Sequence, residues 1–162
     1  MIRGIGAPDL GSLQSAGAVP KQLRGAITYV AGTTGAIGST ALFTVTGDVL
    51  ITGWQAKCTT DLTSAGAPTW QLGAVGATTI LFDGPAPDVT GWDAGEWLNT
   101  ATVTYTTGAG AAGADSYTAI SANIVQTIAS ATITGGVVRW YLSYIPLSGD
   151  GLVTLHANLV AF

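Results

Sequence analysis

From Arg24 onward, short runs of alternating apolar and polar residues are broken by glycine-rich turns at intervals of about ten residues. An alternation of period two places every second side chain on one face of an extended chain, the signature of a half-buried β-strand. In 137–145, Val138, Trp140, Leu142 and Tyr144 share one face, while Arg139, Tyr141 and Ser143 share the other. Pro146 closes that run. In 152–161, Val153, Leu155, Ala157, Leu159 and Ala161 point one way, and Thr154, His156, Asn158 and Val160 point the other. Segment 40–46 meets Gly47-Asp48 and continues as 49–58, while Gly135-Gly136 separates 122–134 from 137–145. Both turns read as two-residue hairpins. Gly149-Asp150-Gly151 marks a further turn. Additional strands are expected near 25–30, 68–74, 78–82, 101–107 and 117–121. A helix over 115–131 is disfavoured by its Thr, Ile and Val content. The pattern predicts an all-β, single-domain chain of eight to ten short strands, a jelly roll or related β-sandwich.

Residues 1–23 break the pattern. Gly4, Gly6, Pro8, Gly11, Gly17 and Pro20 leave no sustained period, and an extended N-terminal arm on a 24–162 domain is expected. The arm carries Ile2, Ile5, Leu10, Leu13 and Val19, more aliphatic anchors than a solvating tail would hold. The stretch 107–114 is a Gly/Ala loop, and no internal repeat is visible.

Composition sharpens this reading. Charged residues make up 9% of the 162, against roughly 25% in ordinary soluble domains. Thr, Gly and Ala fill 72 positions. A neutral, Thr-coated β-surface suits a protein covered by its neighbours. The net charge of −4 divides into +2 on residues 1–24, with Arg3, Lys21 and Arg24 against Asp9, and −6 on the remainder. Two basic residues on that body, Lys57 and Arg139, cannot track a phosphate backbone, so no nucleic-acid partner is expected. Mean hydropathy is +0.45, but no run reaches the roughly 18 apolar residues of a membrane span. The first residues lack the apolar core of a signal peptide. Cys58 is the only cysteine, which excludes an intrachain disulfide and leans toward assembly in a reducing cell.

Residues with chemical potential are few. Gly108-Ala-Gly-Ala-Ala-Gly113 matches a dinucleotide fingerprint in spacing, but no acid stands about 20 residues on. His156 has no Gly-x-Ser-x-Gly elbow to serve and lies on the polar side of its strand pattern. Asp83, Asp88, Asp93 and Glu96 cluster beside Trp92 and Trp97. Such a loop could bind calcium through hard oxygens or grip a sugar, but an interface loop is the favoured reading, with Trp92 and Trp97 as its anchors. Cys58 shares a face with Trp54 and reads as a buried structural thiol. Neither a cofactor nor a metal is expected, and no catalysis.

Three stretches taken together, Leu42-Phe-Thr-Val-Thr-Gly-Asp-Val-Leu50 with Cys58-Thr-Thr-Asp-Leu62, Asp93-Ala-Gly-Glu-Trp97, and Ile145-Pro-Leu-Ser-Gly-Asp-Gly-Leu152, resemble small structural proteins of tailed bacteriophages that decorate or cement the head. The resemblance implies a non-enzymatic virion component, a β-rich homotrimer on the capsid exterior, assembled in the host bacterial cytoplasm with the major capsid protein as partner. No residue roles come with it. Ile2, Ile5, Leu10, Leu13, Arg24, Trp92 and Trp97 are the expected interface residues. A tail-tube or head-fibre-base role needs similar features, and a lectin-like carbohydrate-binding module is the alternative from another class.

Overall fold

A computed structural model of the chain describes residues 19–82, 88–89, 91–99 and 118–162. Its strands are β1 (Lys21–Thr28), β2 (Gly38–Thr46), β3 (Val49–Ser64), β4 (Thr69–Ala74), β5 (Trp97–Asn99), β6 (Thr118–Ile120), β7 (Ile124–Ala129), β8 (Ile133–Pro146) and β9 (Leu152–Leu155). Among the described residues there is no helix, and therefore none long and apolar enough to cross a membrane. Two antiparallel sheets form a β-sandwich. Sheet A runs β1-β8-β3-β5, with β6 also on β3, and sheet B runs β4-β7-β2-β9. The long β3–β8 ladder is the spine of sheet A, bent by register shifts between Ile51 and Gly53 and again beyond Cys58.

The alternation in 137–145 survives in the structure. Val138, Trp140, Leu142 and Tyr144 are buried, and Arg139, Tyr141 and Ser143 face outward. Aromatic rings fill the space between the sheets. Trp70 stacks on Trp140 with centroids 5.1 Å apart, and Trp54 lies 6.1 Å from Trp70 and 6.2 Å from Trp140. Phe82 stands edge-on to both Trp54 and Trp70 at 6.0 Å. Cys58 and Trp54 share this buried face, as the four-residue spacing predicts.

Neither expected hairpin forms, and the Gly47-Asp48 turn is a corner between sheets. Gly47 adopts a φ of 62°, so the turn lies where the sequence places it, yet β2 belongs to sheet B and β3 to sheet A. A local turn signal reports that the chain reverses, not which strand it then pairs with. A hairpin would set Phe43 and Val45 beside Val49 and Ile51 in one sheet, whereas the sandwich brings them to one core from opposite layers. The β8–β9 corner at 147–151 likewise crosses sheets, and the two corners brace each other. The Asp48 N–H donates to Ser148 Oγ (2.8 Å), Ser148 Oγ donates to Asp150 Oδ1 (2.6 Å), and the Leu147 N–H donates to the Asp48 carbonyl (2.9 Å). Gly135 and Gly136 lie inside β8 instead of at a turn. Gly136, with φ 110°, fits against Leu62 where a side chain would collide, and the reversal between β7 and β8 falls at Ser130, φ 69°.

Two other expectations are corrected. Residues 78–82 form a tight loop, not a strand; it folds back over β4, with the Phe82 N–H donating to the Leu72 carbonyl (3.1 Å), and delivers Phe82 to the core. The last strand stops at Leu155. His156 turns the chain, its N–H donating to the Leu42 carbonyl (3.0 Å), and Val160 then bridges Ala26 on β1. The C-terminal stretch thus passes from the edge of sheet B to the edge of sheet A. Gly25 leaves room there for Leu155 and Leu159, a close approach any Cβ would obstruct. The expected strand at 101–107 and the loop at 107–114, which holds the Gly108–Gly113 fingerprint, lie outside the described residues.

Candidate interaction surface

Strand pairing gathers cations and aromatic rings on the outward face of sheet A. Across the sheet, Ala26 pairs with Arg139, Arg139 with Lys57, and Lys57 with Trp97. The neighbouring row joins Arg24, Tyr141 and Gln55. The Lys57 Nζ lies 5.1 Å from the centre of the Trp97 ring, and the Arg139 guanidinium 4.5 Å from that of Phe162. Tyr141 links the two, 5.5 Å from Trp97 and 5.7 Å from Phe162. Trp97 is 45% exposed and Phe162 47%. Each cation is thereby held over a ring face, an attraction of about 0.5–1 kcal/mol at exposed positions. Beside this array a shallow groove opens over Gly53, walled by Arg24, Gln55, Tyr141 and Ser143, because glycine leaves that outward position empty.

The loop leading into β5 is firmly attached. The Cys58 N–H donates to the Glu96 carbonyl (3.0 Å), the Gly95 N–H to the Cys58 carbonyl (2.9 Å), and the Leu62 N–H to the Trp92 carbonyl (3.1 Å). Carboxylates complete it: the Ala94 N–H donates to Asp61 Oδ1 (2.7 Å) and the Asp93 N–H to Glu96 Oε2 (3.0 Å). Trp92 and Trp97 part company here. The Trp92 ring turns inward, half-buried against Trp70 at 6.3 Å, and Trp97 alone lies on the surface array. Among the described residues no three His, Cys, Asp or Glu side chains gather as metal ligands. Asp83 lies outside the described residues, as do Ile2, Ile5, Leu10 and Leu13.

The described thiol and imidazole are held by local contacts. Burial pushes the Cys58 thiol above its usual range, and the thiol points at the carbonyls of Thr60 and Trp92. His156 Nδ1 accepts from the Asn158 N–H at 3.4 Å. Tyr29, whose phenol is held far above its ordinary range by burial, donates to Gln126 (2.7 Å) in the core.

Sequence reasoning placed Arg24 and Trp97 among the interface residues but missed Lys57, Arg139, Tyr141 and Phe162 as their neighbours. The period-two pattern already set Arg139 and Tyr141 on one face. The cross-strand partners depend on register between strands far apart in the chain, from Lys57 opposite Trp97 to Arg24 opposite Tyr141, which no local pattern carries.

No family model and no curated protein matches the chain. Among solved structures, a chain of the cyanophage Pam1 capsid asymmetric unit has a similar fold, with a TM-score of 0.53 and 18% identity. The match covers 88% of this chain and 93% of that one.

Proposed function

We propose that this chain is a structural, non-enzymatic component of a tailed-phage virion, and that it decorates the outside of the head. The observation that carries the proposal is the near full-length correspondence of this sandwich with a chain from a phage capsid assembly. The charge-poor, Thr-rich surface suits a protein packed among neighbours, and the three stretches resembling decoration proteins lie on β2–β3, the 93–97 loop and the β8–β9 corner. In this reading the sandwich is a jelly roll with β9 added at one edge. The strand order supports it, since every connection between successive strands except β5–β6 crosses from one sheet to the other. A sugar-binding role has less support, because only one of the two loop tryptophans is presented to a ligand.

The arm is the proposed anchor. Lys21–Leu23 pair with Leu142–Tyr144 inside sheet A, so the segment available for docking is 1–20, not the full 1–23. Each of Ile2, Ile5, Leu10 and Leu13 that becomes buried on the capsid would contribute about 1.5–3 kcal/mol before ordering entropy is subtracted. Deleting 1–20 is expected to leave a β-fold by circular dichroism and to weaken co-sedimentation with undecorated heads at least tenfold. Undiminished head binding by the shortened chain would remove the arm from the mechanism. Failure of the full chain to bind heads would remove the decoration role.

A further inference from the structure

We infer that the outward face of sheet A is a docking face for a second copy of this chain, which presents its acidic end made by Asp61, Asp93 and Glu96. The inference builds on the proposed role as a component packed among copies of itself, and its test uses no phage heads.

Charge is sorted in the fold. All four basic residues among the described ones, Lys21, Arg24, Lys57 and Arg139, stand on sheet A strands. In the outward rows through Arg24, Tyr141 and Gln55 and through Arg139, Lys57 and Trp97, no acid shares a register position. The described acids lie off those rows: Asp48 and Asp150 at the braced corners, Asp88 bridged to Thr69 on β4, and Asp61, near the end of β3, with Asp93 and Glu96 around the loop before β5. Sheet B offers no counterpart. Its outward positions, such as Ser39, Thr127, Thr44 and Thr154, are uncharged.

The face has the composition of a contact hot spot. Trp, Tyr and Arg are the residues enriched where binding energy concentrates, and here Trp97, Tyr141, Arg24 and Arg139 form one patch beside the Gly53 groove. The array Lys57–Trp97–Tyr141–Phe162–Arg139 is already assembled through ring contacts, so little side-chain freedom remains to be lost on binding. The acidic end is equally pre-formed, since Asp61 and Glu96 are fixed by the N–H groups of Ala94 and Asp93. Face meeting end is a heterologous contact, which closes into a ring when its rotation allows.

The test is sedimentation velocity of the full chain at roughly 50 mM and roughly 500 mM salt, conditions that span strong and weak screening. The wild-type chain is expected to exceed one-chain mass at low salt and to lose at least tenfold in association constant at high salt. The variant Lys57→Glu/Arg139→Glu should be monomeric at both, with an unchanged circular dichroism spectrum. So should Asp93→Lys/Glu96→Lys. Mixing the two variants should restore a mixed assembly, because the reversed face then meets the reversed end. A monomeric wild type, a Lys57→Glu/Arg139→Glu variant that assembles normally, or a mixture that stays monomeric would each overturn the inference. A monomeric wild type that binds polygalacturonate through Lys57 and Arg139 would also overturn it, assigning the face to an acidic saccharide.

Discussion

Trp140→Ala is expected to lower unfolding stability by about 3–5 kcal/mol, the usual cost of deleting a buried indole, in a fold whose whole stability is about 5–15 kcal/mol. Trp140 is 1% exposed, stacks on Trp70 and touches Trp54, so its removal opens a cavity at the centre of the ring cluster. Trp140→Phe should behave quite differently. The Trp140 Nε1 is buried with no hydrogen-bond partner among the described residues, and an unmet buried donor costs about 1–3 kcal/mol. Phenylalanine removes that donor while keeping a ring, so the relief offsets much of the lost packing and the net change should stay under about 1.5 kcal/mol. Urea denaturation of the three proteins checks this. A phenylalanine variant as unstable as the alanine variant would mean that the cluster depends on the full indole shape and that the orphaned donor matters little.

Gln126→Leu is the second large effect. Gln126 is the one buried polar residue among the described core positions, and its Oε1 accepts from Tyr29 Oη (2.7 Å) and from Trp70 Nε1 (3.4 Å). Its Nε2 donates to the Thr34 carbonyl at 3.4 Å. Leucine strands two buried donors, and at about 1–3 kcal/mol each the expected loss is about 2–6 kcal/mol. Adding Tyr29→Phe to Gln126→Leu should recover part of that loss, since one stranded donor disappears, giving a non-additive cycle. Burial raises the Tyr29 pKa in the folded state above its unfolded value of about 10. Its contribution is therefore fully present below about pH 10 and is lost as pH rises beyond that, a decline that Tyr29→Phe should lack. Additive single-variant losses would show that the three side chains do not act as a network.

The strands were legible wherever one face is buried and the other wet, because burial then imposes period two. The 137–145 run is the plainest case, and the structure buries Val138, Trp140, Leu142 and Tyr144 as that pattern requires. Turn positions were legible too, at Gly47 and at 149–151, since a chain reversal has local chemistry. Pairing was not. Gly47-Asp48 has the composition of a hairpin turn, yet the strands it joins face each other across the core. Tertiary burial chooses the partner after the turn has chosen the direction. Continuity beyond Leu155 failed for a related reason: the alternation runs on through Leu159, but the chain must leave sheet B at His156 to reach β1. Of the candidate surface on sheet A, Arg24 and Trp97 were picked out only as isolated residues. Their assembly with Lys57, Arg139 and Tyr141 exists only through register. Trp92 shows the converse limit, because an aromatic residue on a polar loop has the same sequence signature whether its ring turns outward or, as here, toward Trp70.

Electron cryomicroscopy of the phage head, with and without this protein, tests the proposed decoration role most directly. Additional density is expected on the outer surface of the shell that fits a two-sheet sandwich of this strand order, with the 1–20 segment traced along a neighbouring subunit. Outer density that is the same with and without the protein, or the sandwich found in the tail or inside the shell, would contradict it.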